Sequence, residues 1–181
     1  MNDKIIIRQA ACEDAEEILD IYRYYVLHTA ISFEWEVPSL EEFRGRIQKT
    51  LKKYPYFVAV QNGKILGYTY AGPFVARAAY NWSAELTIYL APEVKGQGIG
   101  RMLYETMEQA LKNMGILNMY ACIGDPIVED EYLTRNSEEF HAHMGFKKVG
   151  VFTKCGYKFG RWYNMIWMEK MIGTHGKIYG S

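Results

Sequence analysis

The stretch that most restricts the fold covers residues 85–114, ELTIYLAPEVKGQGIGRMLYETMEQALKNM. Glu85-Leu86-Thr87-Ile88-Tyr89-Leu90 alternates as a strand does, Ala91-Pro92 interrupts it, and Lys95-Gly96-Gln97-Gly98-Ile99-Gly100 forms a glycine-rich turn. A helix follows to Met114, with Leu103, Met107, Ala110, Leu111 and Met114 on one apolar face and Gly115 placed for a left-handed C-cap. Strand, glycine turn and helix in this order present backbone amides to an anion. Small residues let the main chain come close, and the free N–H groups of the first helical turn, with the positive end of the helix dipole, face a phosphate. A plain strand-to-helix connection has the same local pattern, so the turn alone does not decide between the two. No Gly-Lys-Ser/Thr follows, which sets it apart from a P-loop and its magnesium-binding hydroxyl.

The remaining chain supplies elements to pack around this unit. Residues 4–8 form a short β-branched strand. Ile18, Ile21, Tyr22, Tyr25 and Val26 recur at spacings of three and four, giving a helix to His28 that opens on Glu13, Asp14, Glu16 and Glu17. Residues 29–37 (TAISFEWEV) read as a loop packed on the body or a lid over a pocket. Ser39-Leu40-Glu41-Glu42 fits a capping box for a second helix, which runs to Tyr54 and ends at Pro55. Two strands flank Asn62-Gly63, a strong hairpin signal, and Gly72-Pro73 stops the second of them. Residues 118–123 form a strand that the intervening helix places parallel to the one at residues 83–90. A polar, acidic loop leads to a short helix opened by Asn136-Ser137 and stopped by Gly145. Two strand-like runs, 147–154 and 161–170, then pair across the connection at 155–160.

At 181 residues the expectation is one domain, residues 1–171, with 172–181 as a C-terminal tail. The fold class is α/β (α+β): a mixed, mostly antiparallel sheet of about seven strands with helices on both faces. Lys and Arg together number 21, as do Asp and Glu, so no net charge favours a nucleic acid or membrane partner. Cys12, Cys122 and Cys155 form no CxxC pair and read as reduced thiols of a cytoplasmic protein. MNDKIIIRQ has too short an apolar run for a signal peptide or a membrane span. No His/Cys/Asp/Glu spacing suggests a metal site.

Five local segments, in this order of elements, resemble one family. Lys95-Gly96-Gln97-Gly98-Ile99-Gly100 resembles the pyrophosphate loop of the GNAT superfamily of N-acetyltransferases. Phe140-His141-Ala142-His143-Met144-Gly145-Phe146 is similar to its late helix ending in Gly-Phe. Tyr70-Ala71-Gly72-Pro73, Ala79-Tyr80-Asn81-Trp82-Ser83-Ala84-Glu85 and Cys155-Gly156-Tyr157-Lys158-Phe159-Gly160-Arg161-Trp162 resemble segments of the phosphinothricin acetyltransferase group. The resemblance covers roughly residues 5–170 and implies the GNAT fold, with its sheet splayed after the cofactor-binding strand. It implies transfer from acetyl-CoA to the primary amine of a small amino acid-like acceptor of the phosphinothricin, methionine sulfoximine or methionine sulfone type. The alternatives are a protein N-terminal or aminoglycoside acetyltransferase, or a non-catalytic acyl-CoA-binding sensor on the same scaffold.

The resemblance also assigns roles. Backbone groups of Ile88, Tyr89 and Leu90 would meet the pantetheine arm, and Gly96, Gln97, Gly98, Ile99, Gly100 and Arg101, with Lys95 and Asn136, the rest of the cofactor. Glu85 reads on its own as an exposed strand-end glutamate, yet it stands at the position of the general base. A protonated amine has no lone pair, so a carboxylate, directly or through water, must take its proton before attack. His141 stands where many relatives carry a tyrosine that protonates the departing thiolate. The open readings are an acid, a partner of Glu85 or a packed residue. Phe33, Arg77, Tyr80 and Tyr157 are the acceptor-binding candidates, Arg77 because a lone guanidinium suits a carboxylate or phosphinate. Two departures weigh on the acceptor: Val75 replaces a lysine that phosphinothricin-specific relatives can carry, and the acidic loop Glu129-Asp130-Glu131 suits a cationic amine. Phe140, Tyr163, Met165 and Trp167, on or near the terminal strands, read by default as core packing, and the resemblance implies that this terminal sheet region helps form a homodimer.

Overall fold

The computed structural model describes residues 4–94 and 96–176. Seven strands form one sheet in the order β1-β2-β3-β4-β5-β7-β6: β1 (Ile6–Gln9), β2 (Tyr56–Gln61), β3 (Lys64–Pro73), β4 (Ser83–Leu90), β5 (Asn118–Asp125), β6 (Lys147–Lys158) and β7 (Arg161–Met171). Every pairing is antiparallel except β4 with β5. The helices are α1 (Ala15–His28), α2 (Leu40–Leu51), α3 (Ile99–Asn113) and α4 (Asn136–His143). The mixed, mostly antiparallel sheet and the parallel crossover through α3 are those the sequence pattern predicts.

Alternation along β4 distributes the core between the two faces. Tyr89 meets Tyr22 of α1 with ring centroids 5.2 Å apart, while Leu86 joins Tyr104 and Met107 of α3 in a cluster that extends to Phe146, Ile166 and Met168. At α2 the Ser39 hydroxyl accepts from the Glu42 amide at 3.2 Å, whereas the Glu42 carboxylate turns to Arg46. Asn62 (φ 51°) and Gly63 (φ 80°) make the two-residue turn between β2 and β3.

Several boundaries differ from the sequence reading. The connection expected at 155–160 is mostly strand: β6 continues to Lys158, and only Phe159 (φ 51°) and Gly160 (φ 74°) turn the chain. A phenylalanine in the left-handed region is a poor turn signal, and its stacking on Tyr132 at 4.2 Å helps hold it there. The second helix ends at Leu51, not Tyr54, and β1 is Ile6–Gln9. Met114 leaves the apolar face of α3 and is exposed, because Gly115 (φ 80°) has already turned the chain. The start of the expected tail is tied down: the Ile172 amide donates to the Leu117 carbonyl at 2.8 Å and His175 Nε2 lies 2.6 Å from Asn118 Oδ1. The rest of that tail, residues 177–181, lies outside the described residues.

Candidate active site

The site begins where the parallel ladder ends. β4 and β5 pair through Ser83↔Asn118, Ala84↔Met119, Glu85↔Tyr120 and Leu86↔Ala121, and then separate. β3 holds β4 as far as Leu90, and β7 holds β5 as far as Asp125. The strands therefore diverge with one edge each unpaired. Ala91 donates to the Leu66 carbonyl at 2.9 Å, so residues of its parity, Tyr89 and Thr87, turn their backbone groups to β3. Ile88 and Leu90 turn theirs to the cleft, where Tyr25 already donates its hydroxyl to the Leu90 carbonyl at 2.6 Å.

The glycine turn continues this cleft. Gly96 (φ 72°) and Gly98 (φ 73°) are both left-handed, and Gly98 caps α3 with no side-chain acceptor on the first amides and no acidic residue in the first turn. The amides of Ile99, Gly100 and Arg101 are left for an anion at the positive end of a four-turn helix. A Cβ on Gly100 would stand 3.0 Å from Phe140 Cε2, so α3 approaches α4 closely at a residue without a side chain. Asn136, at the start of α4, faces the turn across one groove lined also by Leu90, Gly98, Gly100 and Phe140. Leu90, Gly100, Asn136 and Phe140 are shared with the cleft beside Ile88, which narrows inward between Thr87, Cys122, Tyr104 and His141. Lys95 lies outside the described residues.

Glu85 sits in the ladder between Gly72 and Tyr120, one residue before the last parallel pair. It is half-buried, and among the described residues no hydrogen bond or ion pair reaches its carboxylate; burial raises its pKa from the ordinary 4.5. Its charge is felt by Tyr70 and by Cys122, whose thiol is pushed up to about 11, chiefly by burial and then by Glu85 and Cys155. A thiol in that state is a poor nucleophile.

His141 is 3 % exposed. Its Nδ1 lies 2.6 Å from the Ser137 carbonyl, which can only accept, so Nδ1 carries the proton and Nε2 accepts from the Tyr104 hydroxyl at 2.8 Å. Burial lowers the pKa of the ring, against the opposing Ser137 bond. The geometry is that of a neutral imidazole fixing Tyr104. No hydrogen bond joins His141 to Glu85 among the described residues, and the two side chains belong to opposite faces of the sheet.

A strand edge left open beside an α3 N-terminus with two left-handed glycines fits an extended ligand ending in a pyrophosphate. Residues 7–167 match the family model described as an acetyltransferase (GNAT) domain. The chain belongs to the GNAT acetyltransferase family. It is 33% identical to the phosphinothricin N-acetyltransferase of Streptomyces coelicolor, over 93% of this chain and 97% of that protein. It is 28% identical to the L-methionine sulfoximine/L-methionine sulfone acetyltransferase of Salmonella typhimurium, over 93% of this chain and 95% of that one. The solved phosphinothricin acetyltransferase of Sinorhizobium meliloti in complex with acetyl-CoA matches with a TM-score of 0.85 and 32% identity, over 93% of this chain and 89% of that one. The GNAT chain is an acetyltransferase with acetyl-CoA as its cosubstrate.

The acceptor candidates of this GNAT chain do not form one cluster. Phe33 is wedged beside the widening cleft: a Cβ on Gly156 would stand 2.6 Å from its ring, and one on Gly124 3.6 Å. Arg77 and Tyr80 are exposed on the 3-10 turn Ala78–Tyr80 before β4, and Arg77 has no ion-pair partner among the described residues. Tyr157 is exposed and leans on Trp162, ring centroids 5.0 Å apart. The aromatic group nearest Glu85 in the ladder escaped the sequence reading. Phe74 stacks on Tyr120 at 4.1 Å and meets Trp167 edge-on at 5.4 Å. A strand reading aligns these residues only once the order β3-β4-β5-β7 is known. The acidic loop is internally committed: Arg161 reaches Asp130 and Glu131, both at 2.9 Å, and Glu129 accepts from the Arg135 amide at 2.7 Å. Among the described residues no group of three or more His, Cys, Asp or Glu side chains is placed to hold a metal ion, and no helix is long and apolar enough to cross a membrane.

Proposed function

We propose that the chain transfers the acetyl group of acetyl-CoA to the primary amine of a small amino acid-like acceptor of the phosphinothricin, methionine sulfoximine and methionine sulfone type, in the cytoplasm. The observation that carries this reading is Glu85, a half-buried carboxylate without a partner, at the point where β4 and β5 part. A desolvated glutamate with a raised pKa is a better base than a solvated one, and the cleft beside it is open for an amine.

Acetyl-CoA would supply the electrophilic thioester carbonyl: the amine nitrogen would bond to its carbon as the C–S bond breaks, and CoA would leave as a thiolate that takes a proton from solvent. Glu85, directly or through a water, takes the proton that the ammonium must lose. The cleft-facing N–H of Ile88 or Leu90 would meet the thioester oxygen, a fixed donor where negative charge develops. Gly96 to Arg101, with Lys95 and Asn136, hold the pyrophosphate end. His141 stays neutral and orients Tyr104 at the inner end of the cleft, so the acid reading of His141 gives way to a positioning one. Of the acceptor candidates, Phe33 beside the cleft takes the acceptor's side chain, and Arg77, which has no ion-pair partner among the described residues, is the candidate for its acid group, while Tyr80 and Tyr157 stand apart from Phe33. The names of the relatives support an amino acid-like acceptor. The internal pairing of Asp130 and Glu131 disfavours a cationic polyamine. The edge strand β6 exposes Val149, Val151 and Phe152 at 51, 52 and 51%, which supports a homodimer built on the terminal strands.

Release of CoA thiol across a panel of phosphinothricin, methionine sulfoximine, methionine sulfone and spermidine tests the reading. Turnover of the amino acid analogues with little of spermidine is expected. Tight acetyl-CoA binding without turnover of any amine would leave the sensor reading standing instead.

A further inference from the structure

Lys158 is 2% exposed and has no carboxylate partner among the described residues. Its Nζ donates to three backbone carbonyls: Val26 at 2.8 Å, Thr29 at 2.9 Å and Ser32 at 2.6 Å. Burial lowers its pKa to about 8, against a smaller opposing pull from Glu34, so at neutral pH it is an ammonium with three protons for three acceptors. Val26 lies in the last turn of α1 and Thr29 is its C-cap, where unpaired carbonyls and the helix dipole favour a cation.

The bonds join segments more than 120 residues apart in the chain. On one side is the end of β6; on the other is the non-helical stretch after α1. That stretch has its own ties, since Ser32 Oγ lies 2.8 Å from the Tyr22 hydroxyl and the Ala30 amide donates to the Tyr132 carbonyl at 3.0 Å. Two of its side chains face the cleft region. Ile31 lines the cleft beside Ile88, and Phe33 rests its ring on the bare backbone of Gly156, two residues before Lys158. Gly156 thus provides the seat and Lys158 draws the stretch down onto it. An apolar side chain of the same length would leave three buried carbonyls without a donor.

We propose that Lys158 is a positioning residue for acceptor binding, fixing the stretch 29–33 across the cleft so that Phe33 stays seated against Gly124 and Gly156. This rests on the reading of Phe33 as part of the acceptor pocket. Lys158 touches neither acceptor nor cofactor, and its effect is expected on the acceptor KM.

The test compares Lys158→Met with the wild-type chain in three measurements: acceptor KM, acetyl-CoA Kd and amide hydrogen exchange. The expected outcome is an acceptor KM about tenfold higher, an acetyl-CoA Kd within about twofold of wild type, and exchange at residues 29–34 accelerated well beyond any change in β3. An unchanged KM, an acetyl-CoA Kd that weakens in step with it, or exchange that accelerates equally in β3 overturns the proposal; the last two are what a merely structural cap produces. If Lys158→Met does not fold, Lys158→Gln serves: it has at most two N–H donors for the three carbonyls and no charge. A raised acceptor KM there supports the proposal, and a wild-type KM overturns it. Absence of turnover by the wild-type chain defeats the proposed function, whereas the exchange comparison needs no turnover and still judges Lys158.

Discussion

Two charged groups flanking the cleft, Glu85 at the point where β4 and β5 part and Lys158 at the end of β6, are held in opposite ways. Glu85 is half-buried with no hydrogen-bond or ion-pair partner among the described residues, and burial raises its pKa. Lys158 is fully buried, and three carbonyls saturate it. A carboxylate without partners is destabilising where it stands and is free to take a proton. An ammonium with every proton bound is immobile and chemically idle, and it fixes whatever it touches. Partner number, rather than depth of burial, separates a reactive charge from a framework one here.

The sharpest way to break this contrast is Glu85→Gln. If Glu85 is the base, kcat/KM at neutral pH falls by about 10²–10⁴-fold, while acetyl-CoA affinity, read by calorimetry, stays at the wild-type value. Retained turnover would make Glu85 a strained bystander. The same idea fixes a pH limb: kcat/KM for an uncharged-amine acceptor analogue falls as pH drops through a value above 4.5, set by Glu85, and this limb is missing in the variant.

Next in size is Gly100→Val, which tests the cofactor end separately from the two charges. With a Cβ already 3.0 Å from Phe140, a branched side chain forces α3 and α4 apart at a cost of about 1–3 kcal/mol. Acetyl-CoA Kd rises while the pH limb of Glu85 stays put. His141→Phe follows. It leaves the buried Tyr104 hydroxyl without an acceptor, and denaturant unfolding should show a loss of about 1–3 kcal/mol. If His141 only orients Tyr104, kcat falls modestly and no pH-dependent term disappears.

The smallest effect is on stability at Glu85 itself. Between the unfolded carboxyl pKa, about 4.3, and the raised folded value, the folded state binds more protons, so stability falls as pH rises through that window. Glu85→Gln should therefore raise Tm relative to wild type at pH 7, and the gain should vanish at pH 4 or below. A lower Tm at pH 7 would mean that the carboxylate has a stabilising partner after all.

What could be read from the sequence was what neighbouring residues specify. Asn62-Gly63 named its turn, Ser39 its helix start, and the glycines at 96, 98 and 100 the tight turn into α3, because each is a local conformational demand. Glu85 was reached by resemblance and gained a physical argument only when its isolation was seen. Lys158 and Tyr104 carried no local signal: their partners lie at Val26 and His141, 132 and 37 residues away along the chain. Phe74, Tyr120 and Trp167 come from three strands, and nothing short of the strand order brings them together. The turn at Phe159-Gly160 was missed because its first residue is held in a disfavoured backbone region by tertiary stacking on Tyr132.

Among the described residues, the sheet ladder between the plate formed by β1 to β4 and the plate formed by β5 to β7 is only four residue pairs long. On the α3 face the joint is backed by the cluster of Leu86, Tyr104, Met107, Phe146 and Ile166. On the other face it carries Glu85 and lies open. The joint is therefore one-sided, packed on the α3 face and bare beside Glu85. Lys158 then has a second meaning: reaching from β6 to the end of α1, it ties the β5–β7 plate to the helix that packs on the β1–β4 plate.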